Sequence, residues 1–185
     1  IQDRISLIHS DNYGGMAKMV KLLLAKGRQK LALVCERDRF DSMVAREKGF
    51  AKTLRSADLE PTIEDFFRSR QRLMENGLLC AEKILKSKKK YDAICCTTDA
   101  AAVGVIHGLV KAGVRVPDDI AVTGFNDDVP VCTSVLPQLT TVRQDIFRIG
   151  ETAGKTLLEA IAYVQAGEEP PKLQTMLPVT IVDRD

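Results

Sequence analysis

The stretch VPDDIAVTGFNDD occupies residues 116–128 and joins a short apolar run to a polar segment. Residues 119–123 are predicted as a strand, and the polar turn GFNDD follows directly. The acid pair Asp118 and Asp119 precedes this strand and is interpreted as a solvated turn. The second pair, Asp127 and Asp128, follows the strand, where ligands of α/β proteins bind.

Short apolar runs alternate with helix-like segments along the rest of the chain. Strands are predicted at residues 4–9, 30–35, 62–67, 91–96 and 119–123, helices at 12–27, 41–56, 73–86, 100–112 and 144–165, and extended segments at 140–143 and 173–182. This alternation predicts an α/β fold, a doubly wound and mainly parallel sheet with helices on both faces. The candidate site therefore lies after the strands, at their carboxyl ends.

The composition is that of a soluble globular protein, with 45% hydrophobic residues, 28% charged residues and a net charge of +2. Such a small charge does not indicate a nucleic-acid or membrane surface. The five cysteines lack C-x-x-C spacing and are expected to be buried free thiols in a reducing cytoplasm. The two histidines are far apart in sequence, so no metal site is predicted.

Three glycine motifs of enzymes are missing from the chain: the dinucleotide-binding, P-loop and α/β-hydrolase motifs. Neither catalysis nor a cofactor is predicted. A reversible site for a polar ligand instead needs a few hydrogen-bonding side chains on rigid supports. Ser42 and Arg46 are spaced i, i+4 on one helix face, and Phe66 could supply an apolar wall.

Five motifs occur in order along the chain, and their order is more specific than any one of them. They are DNYGG (11–15), REKGF (46–50), TDAAAVG (98–104), GVRVPDDIAVTGFNDD (113–128) and PQLTTVRQ (137–144). Together they resemble the effector-binding region of the lactose/galactose-repressor (LacI/GalR) family of bacterial transcription regulators. This resemblance implies a type I periplasmic-binding-protein-like fold of two lobes, with a small polar effector such as a sugar in the cleft between them.

The resemblance also assigns roles to individual residues. Arg46 matches the arginine that holds the effector, Ser42 a frequent contact, and Phe66 a ring that packs on the ligand. The acids Asp99 and Asp127 match further cleft positions. Thr98 and Asn126 stand where many members have Asn and Asp, respectively, which weakens the sugar assignment.

By the same resemblance, the chain holds most of one lobe and a piece of the other. Residues 1–138 and 168–185 are expected in the C-terminal lobe, and residues 139–167 in the N-terminal lobe. The apolar face of helix 144–165 would then lack its usual partners, so a dimer or swapped contact is expected there. Homodimerisation is also implied through residues 100–112 and 129–136.

The function implied is effector sensing that controls operator DNA through an N-terminal helix-turn-helix head not contained in these residues. A periplasmic sugar-binding protein of a transporter is the alternative, since it shares the fold. The cysteines and the PQLTTVRQ segment favour the cytoplasmic regulator.

Overall fold

The computed structural model describes residues 5–36 and 40–184, which form strands and helices in alternation. The strands are β1 (Leu7–Ser10), β2 (Leu31–Val34), β3 (Phe66–Phe67), β4 (Ala93–Cys96), β5 (Ala121–Asn126), β6 (Thr140–Gln144), β7 (Gln174–Leu177) and β8 (Val179–Val182). The helices are α1 (Asn12–Ala25), α2 (Asp41–Arg55), α3 (Leu73–Lys86), α4 (Asp99–Lys111), α5 (Val129–Cys132) and α6 (Ile146–Gln165).

Six strands form one sheet in the order β3-β2-β4-β5-β6-β8. The pairs β2–β3, β2–β4, β4–β5 and β5–β6 are all parallel, and β1 pairs with β7, also parallel, in a second sheet. Parallel neighbours need crossover connections, which α2, α3 and α4 supply between β2 and β5. The predicted α/β class with a mainly parallel sheet is confirmed.

The central strands β2 and β4 are buried along their whole length. Val34 and Ile94 belong to an apolar cluster that includes Cys80 of α3 and Leu109 of α4. The neighbouring Leu33 points to the opposite face and is also fully buried. Coverage of both faces explains why these strands are continuous apolar runs without polar alternation.

Two compact units make up the chain. The larger contains residues 12–143 and 180–184, apart from the three undescribed positions 37–39, and the smaller contains residues 5–11 and 144–179. The lobe boundaries expected from the sequence, at 138/139 and 167/168, stay a prediction about a complete two-lobed domain. The candidate site below lies in the larger unit alone.

Some element boundaries differ from those predicted. The strand expected at 62–67 shrinks to Phe66–Phe67 because Ile63–Asp65 forms a 3-10 turn. The strand expected at 119–123 starts later and continues to Asn126, so most of GFNDD is strand and not turn. Helix α4 is capped by Thr98, whose Oγ1 accepts from the backbone N–H of Ala101 at 3.3 Å. Asp99, which directly precedes the helix predicted at 100–112, is not the cap, because its carboxylate accepts hydrogen bonds from Thr141 and Asp128.

Helix α6 is amphipathic, as predicted, yet none of its residues is buried. Its apolar side chains include Leu157, 61% exposed, and Val164, 64% exposed. Contiguous apolar surface of this kind is unusual on a monomer. Self-association through this face stays a prediction, which sedimentation of the chain over a range of concentrations would test.

All five cysteines are buried and none is paired within the described residues, as the sequence predicts. Burial raises the pKa of the Cys95 thiol to about 12, so at neutral pH it is a small apolar side chain and not a nucleophile. Among the described residues, no helix has the length and apolar character needed to cross a membrane.

Candidate functional site

The carboxyl ends of β2, β4 and β5 meet at one edge of the sheet because these strands are parallel neighbours. Glu36 follows β2, residues 97–99 follow β4, and Asn126 ends β5. Helix α2 brings Arg46 to the same edge. The segments that follow the strands, where the sequence predicts the ligand site, therefore lie together within the larger unit.

Arg46 is the centre of this cluster and is only 3% exposed. Its Nε donates to Oδ1 of Asn12 at 2.9 Å, and its Nη1 donates to the carbonyl oxygen of Thr97 at 2.5 Å and to Oδ1 of Asn126 at 3.3 Å. The guanidinium carbon lies 3.6 Å from the centre of the Phe125 ring. These contacts come from separate elements and fix the Arg46 guanidinium in one orientation, as a preorganised binding group requires.

The Arg46 guanidinium keeps its charge at neutral pH. Burial lowers its pKa to about 10, while the negative charge of Asp99 opposes the shift. The side chain is therefore a protonated cation in a site with little water. A buried cation attracts any hydrogen-bond acceptor that enters its surroundings.

Asp99 is buried and both of its carboxylate oxygens are engaged by the protein. Thr141 Oγ1 donates to Oδ1 at 2.5 Å, and the backbone N–H of Asp128 donates to Oδ2 at 2.8 Å. Burial raises the pKa of this carboxyl, and the two hydrogen bonds oppose the shift. A Cβ at Gly124 would collide with Oδ1, so glycine is needed there. Asp99 thus links β6 and the turn after β5.

Asp127 forms ion pairs with two arginines that come from different segments. Its Oδ2 accepts from Nε of Arg143 at 2.6 Å, and its Oδ1 accepts from Nη2 of Arg184 at 2.7 Å. The backbone is unusual here, with φ of 128° at Asn126 and 60° at Asp127. Non-glycine residues rarely adopt positive φ, and such strain is common at ligand sites. The ion pairs hold Asn126 in this conformation next to Arg46.

The pKa of the Asp127 carboxyl is lower than usual. Burial opposes the charged form, but hydrogen bonds from Arg184 and Arg143 outweigh it. A carboxyl whose pKa is depressed by folding stabilises the protein above its unfolded pKa of about 3.9, and this contribution disappears as the pH falls through the folded pKa. Asp127→Asn should therefore lower the free energy of unfolding by about 3 kcal/mol at pH 7, as measured by urea denaturation.

Below about pH 4 the difference between wild type and this variant should shrink, because the Asp127 carboxyl of the unfolded wild type becomes protonated there, and it should shrink further as the pH falls through the lower pKa of the folded state. Asp118→Asn is the matched control, since the Asp118 side chain is 68% exposed. A pH-independent difference for Asp127→Asn would contradict this account of the ion pairs.

Glu36 and Thr98 form a second polar contact at the same edge. Thr98 Oγ1 donates to Oε1 of Glu36 at 3.0 Å, and the backbone N–H of Leu73, at the start of α3, donates to Oε2 at 3.3 Å. Thr98 also caps α4, so its hydroxyl is used twice by the protein. No group of three His, Cys, Asp or Glu residues is placed to hold a metal ion in the described part of the chain.

Two of the predicted site residues lie outside this hydrogen-bonded cluster. Ser42 is half-buried one turn before Arg46, and no described hydrogen bond links the two. Phe66 is half-buried in β3, with its ring edge-on to Phe50 at 5.7 Å between centroids. Their proposed contact with a ligand therefore rests on position alone.

Sequence reasoning gave no individual role to several residues that build the site. They are Asn12, Glu36, Thr97, Phe125, Thr141, Arg143 and Arg184. Asn12 and Phe125 lie in segments that the sequence marks by their place after strands. No feature of the sequence marks Arg184. Its contact with Asp127 depends on the position of the last strand, β8, beside β6 in the six-stranded sheet.

The sequence model of a protein family, the periplasmic binding protein-like domain, matches residues 20–185 of the chain. The chain belongs to this family. The HTH-type transcriptional repressor PurR from Haemophilus influenzae is 30% identical over 165 residues, and the match covers 87% of this chain and 47% of that protein. The probable repressor ExuR from Bacillus subtilis is 29% identical over 170 residues, and the match covers 91% of this chain and 50% of the ExuR sequence. The chain thus spans about half the length of these curated relatives.

Among solved structures, a LacI family transcriptional regulator from Enterococcus faecium with bound ribose superposes with a TM-score of 0.84. It is 25% identical, and the match covers 97% of this chain and 64% of that one. Together with the repressor relatives, this match shows that the periplasmic binding protein-like chain is an effector-binding region of the LacI/GalR regulator type. The resemblance drawn from the five motifs is confirmed.

Proposed function

We propose that this chain is the effector-sensing part of a bacterial transcription regulator and binds a small polar molecule at the carboxyl edge of its larger sheet. The observation that supports this best is the buried Arg46 fork, held in place by Asn12, Thr97 and Asn126. A charged group fixed this firmly suits the reversible binding of a polar ligand.

The seven sequence-predicted residues divide into two proposed roles. Arg46 and Asn126 contact the effector, with Ser42, Thr98 and Phe66 around it. Asp99 and Asp127 are proposed to position the site without contacting the effector. The Asp99 carboxylate already accepts from Thr141, and the Asp127 carboxylate is paired with two arginines. The effector is proposed to lie in a cleft between this lobe and a second one.

Regulation is proposed to work by a shift between conformations. The effector binds one arrangement of the lobes better than another, so it changes the population of each. In the full-length protein this shift alters the spacing of helix-turn-helix heads on operator DNA. We place the regulator in the cytoplasm as a homodimer. Among the contact candidates, Val110 of α4 and Leu136 are 53% and 85% exposed.

A periplasmic sugar-binding protein is the alternative from a different class, but the relatives named as repressors do not favour it. The gene sequence upstream of the codon for Ile1 separates the two. A helix-turn-helix domain there supports the regulator, whereas a secretory signal peptide would support the transporter component.

Ligand binding itself is testable by titration calorimetry of the full-length protein against a panel of sugars, nucleobases and small organic acids. The proposal predicts saturable one-to-one binding for at least one class, and prior addition of that compound should raise the thermal midpoint of unfolding. If the folded full-length protein bound nothing in these classes, the proposed function would be wrong.

A further inference from the structure

A groove of about 260 Å³ runs between the helices α1 and α2 of the larger unit. Both helices line it, α1 with Tyr13, Lys21 and Leu24, and α2 with Lys52, Thr53 and the following Ala57. None of the seven residues proposed for the effector site lines this groove. Pockets for drug-sized ligands measure about 300–1,000 Å³, so the groove suits a smaller molecule.

The two helices that form the groove are packed closely against each other. A Cβ at Gly49 of α2 would lie 2.5 Å from the carbonyl oxygen of Tyr13 in α1, so only glycine permits this approach. Met16 of α1 and Phe50 of α2 are fully buried. The groove therefore lies on rigid elements, which hold the side chains of a binding site more precisely than loops do.

Thr53 is a buried residue whose hydroxyl lacks a hydrogen bond. The residue is 7% exposed, and its Oγ1 has no hydrogen-bond partner among the residues that the structure describes. A helical hydroxyl often donates to the carbonyl oxygen four residues earlier, as the Ser56 hydroxyl does to Lys52 at 2.9 Å. Buried polar groups normally have partners, so the Thr53 hydroxyl is available to a molecule in the groove that it lines.

Lys21 and Lys52 bring two positive charges to the groove, and neither forms an ion pair within the described part of the chain. Helix α1 contains no Asp or Glu at all. The residues three and four positions from Lys52 along α2 include no acid either. Glu47, the acid nearest to Lys52 in sequence, is paired with Arg68 at 2.6 Å. The two ammonium groups therefore attract an anion to this surface.

We propose that the groove is a second ligand site, which binds a small phosphate monoester through Lys21, Lys52 and the Thr53 hydroxyl. A phosphate monoester carries a charge of about −1.5 to −2 at pH 7 and three acceptor oxygens, which matches two lysines and one hydroxyl. Lysine binds phosphate well as a point charge. A carboxylate would compensate only one of the two ammonium groups. Leu24 and Ala57 provide apolar surface for the carbon skeleton.

The test is calorimetric titration of the full-length protein with glycerol phosphate, inorganic phosphate, glycerate and glycerol. We expect saturable binding of glycerol phosphate, at least about tenfold tighter than that of glycerate. Lys21→Gln and Lys52→Gln should each weaken this binding by about tenfold or more, because each removes a charged hydrogen bond. Lys86→Gln, which changes an exposed lysine in the last turn of α3, is the matched control and should leave it unchanged.

Thr53→Val separates a binding role from a structural one. It removes a hydroxyl that has no described partner, so the thermal midpoint of the free protein should stay close to that of the wild type. Binding of glycerol phosphate should weaken by about fivefold or more, and Thr53→Ser should restore it. Three results would each overturn the proposal: no binding of either phosphate compound, equally tight binding of glycerate, or phosphate binding that persists in both lysine variants.

Discussion

Gly77→Ala and Gly104→Ala should each destabilise the chain by about 3 kcal/mol or more, the upper range for overpacking a core. The two glycines belong to α3 and α4, and each approaches the backbone of the other helix. A Cβ at Gly77 would overlap the carbonyl oxygen of Ala101, and one at Gly104 would overlap that of Met74. Since backbone cannot rotate aside as a long side chain does, the helices would have to move apart.

Such a movement would open the apolar cluster between α3, α4 and the sheet, which contains Cys80 and Leu109. The measurement is urea denaturation followed by circular dichroism, where the midpoint should fall with an unchanged slope. Helix α6 offers the matched controls. Gly150 and Gly154 are four residues apart, a spacing that suggests close packing against a neighbouring element. However, a Cβ built at either glycine would have no described atom within 4 Å, apart from the nearby backbone of α6 itself.

Alanine at Gly150 or Gly154 should therefore be neutral or stabilise by about 0.5–1 kcal/mol, through helix propensity alone. Equal effects at the four glycines would show that α3 and α4 do not approach each other as closely as described.

The sequence was sufficient for the fold class and for most elements. Helix α3 was predicted at its observed bounds, because apolar residues at helical spacing face the sheet. The strands β2 and β4 followed from short apolar runs. The 3-10 turn Ile63–Asp65 was not predictable, because it depends on the Asp65 side chain, which accepts from the backbone N–H of Thr62 at 2.8 Å.

The candidate site was predictable in part, through the rule that ligands bind at the carboxyl ends of parallel strands. That rule selected the segments containing Arg46 and Asn126. It could not reveal which acids are engaged by other groups, because the partners of Asp127 and Asp99 lie 16 to 57 and 29 to 42 residues away, respectively. Such distant pairs depend on the order of strands in the sheet.

Arg46→Ala should reduce effector affinity at least 100-fold, equivalent to about 2.7 kcal/mol. Removing one partner of a buried charged hydrogen bond costs about 2–5 kcal/mol, and Arg46 is the buried cation that donates to Oδ1 of Asn126 at 3.3 Å. Arg55→Ala is the matched control on the same helix, because Arg55 is 53% exposed and pairs only with the exposed Glu60 among the described residues.

The most direct test of the proposed site is calorimetric titration of an identified effector into wild type, Arg46→Ala and Arg55→Ala, each shown by circular dichroism to be folded. We expect wild-type affinity for Arg55→Ala and a loss of at least about 100-fold for Arg46→Ala. A folded Arg46→Ala protein with the affinity of the wild type would contradict the assignment of the effector site to the carboxyl edge of the larger sheet.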